Sequence, residues 1–218
     1  MVEALSVPSF RDGIEAVKNG GVEAINAFVA AGGKFTDQPD DDTMTAGMWA
    51  VCGGAEVIKA FVAGGGTFTD RPNDCGGTAG IYVVQRGVEA INAFVAGGGV
   101  FTDQQDRDNR TAAMYAAECG AEVINAFVAG GGKFTDQQDA CGMTAGGDAA
   151  HAGVDAIEAY IVGGGKLERT KEQLALLALY PEVVAEASQR IIGKILKEKA
   201  HRPMLKPAPA EGSPLKNE

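Results

Sequence analysis

Apolar residues recur along the chain as two short stripes in every block of 33 residues, and the longer stripe has helical spacing. In the second block Val57, Ile58, Phe61 and Val62 line one face of a helix that opens at Ala55-Glu56, with an acid suited to the helix dipole. A shorter apolar stretch precedes it, Met48, Trp49, Ala50 and Val51. Thr45 stands where an N-cap belongs, Gly53-Gly54 separates the stretches, and Gly64-Gly65-Gly66 stops the second. Thr67-Phe68-Thr69-Asp70 then leads, extended, into a polar turn. Each block therefore reads as two helices and a finger. One such unit cannot bury its own stripe, so the pattern predicts an all-α solenoid of stacked units.

Three sequence blocks keep one register. Phe-Thr-Asp occurs at 35–37, 68–70, 101–103 and 134–136, and Thr-Ala at 45–46, 78–79, 111–112 and 144–145. Gly-Val-Glu-Ala-Ile-Asn-Ala-Phe-Val runs from Gly21 and again from Gly87. Close variants start at Gly54, Gly120 and Gly153. The expected units are 9–36, 37–69, 70–102, 103–135 and 136–168, within a repeat domain over 1–168. The first unit lacks Thr-Ala and has Asp12-Gly13 there, as suits a terminal repeat with one face in water. Beyond Lys166 the period ends. Helices are predicted over 171–179 and 182–199, forming a C-terminal cap over 169–200. Leu174, Leu177, Val183, Val184, Ala187, Ile191, Ile192, Ile195 and Leu196 supply its apolar face. Residues 201–218 hold four prolines and read as a disordered tail.

On these residues the chain resembles the ankyrin repeats, whose 33-residue unit is a β-turn finger plus two antiparallel helices. The family's Thr-Pro-Leu-His block corresponds to Thr45-Ala46-Gly47-Met48, Thr78-Ala79-Gly80-Ile81, Thr111-Ala112-Ala113-Met114 and Thr144-Ala145-Gly146-Gly147. Its Gly-Ala-Asp-Val-Asn ending corresponds to Gly65-Gly66-Thr67-Phe68-Thr69 and its copies. No repeat has Pro after its Thr, and none has the His of that block. The Leu slot holds Gly47, Gly80, Ala113 and Gly146, which thins the core and predicts marginal, fraying middle repeats.

The resemblance implies partner binding on the concave side, by fingertips and first-helix residues. Carried over by position, the finger slots are Asp41, Asp42 and Met44; Asp74 and Cys75; Arg107, Asp108 and Arg110; and Cys141 and Met143. The helix slots are Cys52; Gln85 and Arg86; Glu118 and Cys119; and His151. These positions vary between repeats while the stripes barely change. Met44, Trp49, Tyr82, Met114, Tyr115 and Met143 are expected to add apolar contacts there, although Trp at the slot of Trp49 is more often a core residue.

Charge sharpens the expectation. Residues 1–168 hold 23 acids and 10 bases, a net −13, whereas 169–218 carry +3. The whole chain, at −10, argues against nucleic acid bound by counterion release and against an anionic membrane surface. Acids concentrate at the fingers. Asp37, Asp70, Asp103 and Asp136 are each expected to close a turn through an Asx bond. The extra acids Asp41, Asp42, Asp74 and Asp108 suggest a rim that steers a basic partner.

Gly is 31 of 218 residues, about twice ordinary usage, in keeping with many turns. Enzyme signatures are nearly absent. There are two His and four Ser, and no Ser sits in a Gly-x-Ser-x-Gly elbow. Gly-Gly-Gly-Lys-Phe-Thr at 130–135 lacks the Gly-Lys-[Ser/Thr] ending of a phosphate loop. No enzymatic activity, cofactor or resident metal is expected. All four Cys fall on the candidate slots, Cys52 facing Cys75 and Cys119 facing Cys141, with His151 nearby. That keeps a thiol- or metal-responsive regulator as an alternative. The N-terminus shows no signal peptide, and no apolar run approaches a membrane span. The expectation is a cytoplasmic monomer that binds a basic or amphipathic segment of another protein. A bacterial effector delivered to a host, using the same solenoid, stays open as a further alternative.

Overall fold

The computed structural model describes residues 7–167 and 179–201. The expected helix over 171–179 and the tail over 201–218 lie, apart from Leu179 and His201, outside the described residues.

The described residues are helical, with no strand among them. Five helix pairs follow one another: α1 (Phe10–Asn19) and α2 (Gly21–Ala30), α3 (Ala46–Cys52) and α4 (Ala55–Ala63), α5 (Ala79–Val84) and α6 (Val88–Ala96), α7 (Ala112–Glu118) and α8 (Ala121–Ala129), α9 (Ala145–Ala152) and α10 (Val154–Val162). A longer α11 (Pro181–His201) closes the series. The first helices of the pairs stack in one row and the second helices in another, which α11 extends by packing on α10. This is the predicted solenoid.

Each first helix starts where its Thr predicts. The hydroxyls of Thr45, Thr78, Thr111 and Thr144 accept from the amides of Met48, Ile81, Met114 and Gly147 at 3.2–3.3 Å. The first unit has its cap too, three residues earlier than the missing Thr-Ala block: Ser9 and Asp12 form a reciprocal capping box. Each second helix ends in a Schellman arrangement, on a glycine triplet in every unit but the first, where Ala31-Gly32-Gly33 stands. In the second unit Gly66 N donates to Phe61 O and Gly65 N to Val62 O, both at 2.9 Å, with Gly65 at φ +85°.

The core is a continuous aromatic spine. Phe28, Phe61, Phe94, Phe127 and Tyr160 come from the second helices, and Phe35, Phe68, Phe101 and Phe134 from the finger segments. The nine rings alternate along the stack with centroids 4.5–5.6 Å apart and tilted planes. Such pairs add about 0.5–1.5 kcal/mol each beyond the area they bury. Ile25, Ile58, Ile91, Ile124 and Ile157 are fully buried at the same period.

The spine corrects one expectation. The glycines in the Leu slot do not thin the core. A Cβ on Gly47 would stand 3.3 Å from the Phe68 ring and 3.4 Å from Thr67 O. Space left by the missing side chain is taken by the finger phenylalanine of the same unit. A second correction concerns the cap. Ala187 is buried, and Tyr180 and Val183 pack on the core, but Ile192, Ile195 and Leu196 are 56%, 45% and 62% exposed. A helix of 21 residues is longer than its nine-residue neighbour α10, and these three apolar side chains of its second half face solvent.

Candidate functional site

Each finger is organised by one Asx residue, three positions after the Asp of Phe-Thr-Asp. Asp40 Oδ1 accepts from the amides of Asp42 and Met44, and Asn73 Oδ1 from those of Cys75 and Gly77. Asp106 Oδ1 accepts from Asp108 and Arg110, and Asp139 Oδ1 from Cys141 and Met143. All eight distances are 2.8–3.0 Å. Asp37, Asp70, Asp103 and Asp136 were expected in this role; they are instead exposed ahead of the turn. The turn starts later because its left-handed residue, at 43, 76, 109 and 142, is three positions after the true Asx. Thr43 is β-branched at φ +59°, a strained setting, and its hydroxyl accepts from Asp74 N of the next finger at 2.8 Å. Further rungs tie finger to finger: Arg107 N to Cys75 O at 2.7 Å, and Ala140 N to Asp108 O at 2.9 Å.

The free end of the Asx side chain is held by an aromatic residue nine positions on, in the first helix. Trp49 Nε1 donates to Asp40 Oδ2 at 2.9 Å, Asn73 Nδ2 donates to Tyr82 OH at 2.7 Å, and Tyr115 OH donates to Asp106 Oδ2 at 2.7 Å. These locks fix three fingers against three helices. The neighbouring Asp106 carboxylate adds to burial in pushing the Tyr115 phenol up to about 12. Burial pushes Asp40 up, but the Trp49 N–H, two backbone amides and Lys18 together hold it below the usual aspartate range. The signal for these locks was present in the sequence: Asp/Asn at 40, 73, 106 and 139, and Trp/Tyr at 49, 82 and 115, share the 33-residue period.

The candidate residues divide into several settings. Asp41 and Asp42 are exposed but already paired, with Arg11 at 3.1 Å and Lys18 at 3.0 Å. Lys18 also lies 4.4 Å from the centroid of the Trp49 ring. The groove beside this finger, about 340 Å³, is lined by Arg11, Ile14, Lys18 and Asp40–Asp42 among others. Asp74, Cys75, Arg107, Asp108 and Cys141 are exposed on the other fingers, and Gln85, Arg86, Glu118, Cys119 and His151 at the ends of first helices. Arg110 is half-buried between Glu118 at 2.7 Å and Asp148 at 3.2 Å, over the Tyr115 ring at 4.2 Å. Met143 is half-buried.

Met44 and Met114 are corrections: both are buried in the core, at the finger base and inside α7, and present no contact surface. Trp49, Tyr82 and Tyr115 are half-buried, their polar atoms engaged in the locks.

All four cysteines are free thiols, and Cys52 alone of them is half-buried. Burial and then Glu118 push the Cys119 thiol up, away from thiolate. His151 Nδ1 is hydrogen-bonded to Tyr180 OH at 2.7 Å. Among the described residues no three His, Cys, Asp or Glu side chains converge as a metal would need. No helix among them is long and apolar enough to cross a membrane.

The architecture defines a class: an all-α repeat solenoid of helix pairs joined by hydrogen-bonded finger turns. The structure is similar to the crystal structure of EF0377, an ankyrin repeat protein, with a TM-score of 0.67 and 18% sequence identity over 84% of this chain and 98% of that one. The chain thus has the ankyrin-repeat fold. No sequence-family model matches the chain, and no curated protein matches it.

Proposed function

We propose that the chain is a non-catalytic protein-interaction module that holds a basic or amphipathic segment of another protein on its finger and first-helix face. One observation carries the reading. The tips of the second and third fingers present Asp74 and Asp108 to solvent, and neither side chain has a hydrogen-bond or ion-pair partner among the described residues. Asp41 and Asp42, by contrast, are already satisfied within the chain. Uncompensated charge therefore sits at the tips of the two middle fingers, which the aromatic locks hold in fixed positions. A preorganised row of carboxylates loses little freedom on binding and attracts a cationic segment from a distance.

Affinity capture with the full chain as bait tests the reading, at about 50 and 150 mM salt, where screening differs. The control bait carries Asp74→Asn and Asp108→Asn. A partner lost with salt and with this control bait supports it. A partner retained by both moves the contact to the first-helix slots and refutes the acidic rim.

A further inference from the structure

The fourth finger breaks the lock rule. Asp139 organises its turn as the others do, but nine residues on stands an acid, Asp148, where the earlier units have Trp49, Tyr82 and Tyr115. Asp148 cannot repeat the aromatic lock: its side chain is short, and its charge has the same sign as that of Asp139. It turns instead to the previous finger. Arg110 Nη2 donates to Asp148 Oδ2 at 3.2 Å and pairs with Glu118 at 2.7 Å, its guanidinium stacked on Tyr115. The Asp148 side chain is only 13% exposed, and Arg110 Nε is buried without a hydrogen-bond partner. One cation therefore serves two carboxylates in a half-buried place.

We propose that Arg110 and Asp148 form a proton-operated latch between the third finger and α9, closed while Asp148 is ionised and opened by its protonation. When the carboxyl takes up a proton, Arg110 keeps Glu118 alone and its hold on α9 is lost. The surroundings favour that uptake. Burial is the largest influence on Asp148. Glu118 of α7 and Asp139 of the fourth finger reinforce it, Arg110 opposes it, and the balance sets the carboxyl at about 6. Of the other titratable groups around the pair, Asp106 is bonded by Tyr115, and burial and then Glu118 hold the Cys119 thiol at the end of α7 protonated. His151, one turn on in α9, bonds Tyr180, and the α10 acids Asp155 and Glu158 pair with Arg190 and Lys194 of α11. The latch is a property of the chain alone and does not depend on any partner.

Carboxyl-carbon and arginine Nε–H NMR of the full chain, followed from pH 7.5 to 4, is the test. The expected result is an Asp148 midpoint near 6, with the Arg110 Nε–H signal moving at the same midpoint. Asp148→Asn should flatten the Arg110 signal across that range. Glu118→Gln should lower the Asp148 midpoint, since it removes both a repelling charge and a competitor for Arg110. His151→Gln should leave the Arg110 transition in place; its loss there would assign the transition to the histidine and overturn the latch. An Asp148 midpoint near the ordinary 3.8, or an Arg110 signal indifferent to Asp148, would overturn it too.

Discussion

The aromatic spine and the finger edge run side by side along the same stack, yet they are held by different physics. On the spine the units supply the same kinds of part: an aromatic ring from every second helix, a phenylalanine from the finger segment of all but the last unit, which has Leu167 there, and a fully buried isoleucine. On the finger edge each turn shares a backbone scheme, but the residue nine positions after the Asx changes from Trp49 to Tyr82 to Tyr115, which secure their turns, to Asp148, which turns to Arg110 instead. Dense packing tolerates few alternatives, because a changed volume is felt by both neighbouring units. A half-exposed hydrogen bond tolerates many, because water can replace the partner. The framework can therefore stay constant while the edge is free to differ, which is what a recognition surface on a fixed scaffold requires.

Phe94→Ala, at the middle of the spine, should cost the most, about 3–5 kcal/mol, because it opens a cavity between Phe68 and Phe101 that neither ring can fill. Urea denaturation would measure it. A loss below about 1 kcal/mol would mean that the rings do not carry the stack.

Asp148→Asn should act in the opposite direction. The folded-state value of Asp148, about 6, lies above the ordinary 3.8, so the folded chain binds the extra proton between these two pH values. Its contribution to stability accordingly rises as pH falls from 6 towards 4. Replacing the carboxylate by a neutral amide should stabilise the chain at pH 7 by on the order of 2 kcal/mol and remove that part of the pH dependence. Denaturant midpoints at pH 7 and pH 5 for both proteins check it; unchanged pH dependence would show that Asp148 is ordinary.

The smallest of these effects belongs to Tyr115→Phe. It removes only the hydroxyl that holds Asp106, and should cost about 1 kcal/mol while sparing the ring beneath Arg110. The same denaturation experiment applies, and a cost equal to that of Phe94→Ala would erase the distinction between edge and spine.

Much of the fold was legible because its determinants are local or periodic. The Thr caps, the glycine stops, the Ile and Phe positions and the helix after Pro181 all follow from residue type at fixed spacing, and the structure places helices there. The spine was not legible as a spine: nothing in the spacing says that Phe68 approaches Gly47 and lies between Phe61 and Phe94, since that is a contact between segments. At the site the period was visible but the role was misassigned. The invariant Asp of Phe-Thr-Asp drew attention, whereas the working residue, three positions later, is masked in one copy by Asn73. Whether an exposed acid is free or paired depends on distant residues: Arg11 reaches Asp41 across 30 positions, and Lys18 reaches Asp42 across 24. Single-sequence spacing carries no record of such pairs.

Residue-resolved hydrogen exchange on the full chain tests most directly whether framework and finger edge are separable. The amides of α4, α6 and α8 should exchange together at one slow rate, as a block that opens only when the spine does. The finger amides of Asp42, Cys75, Asp108 and Cys141 should exchange faster, through local opening. Middle helices that exchange as fast as the fingers, or fingers as slow as the helices, would contradict that separation.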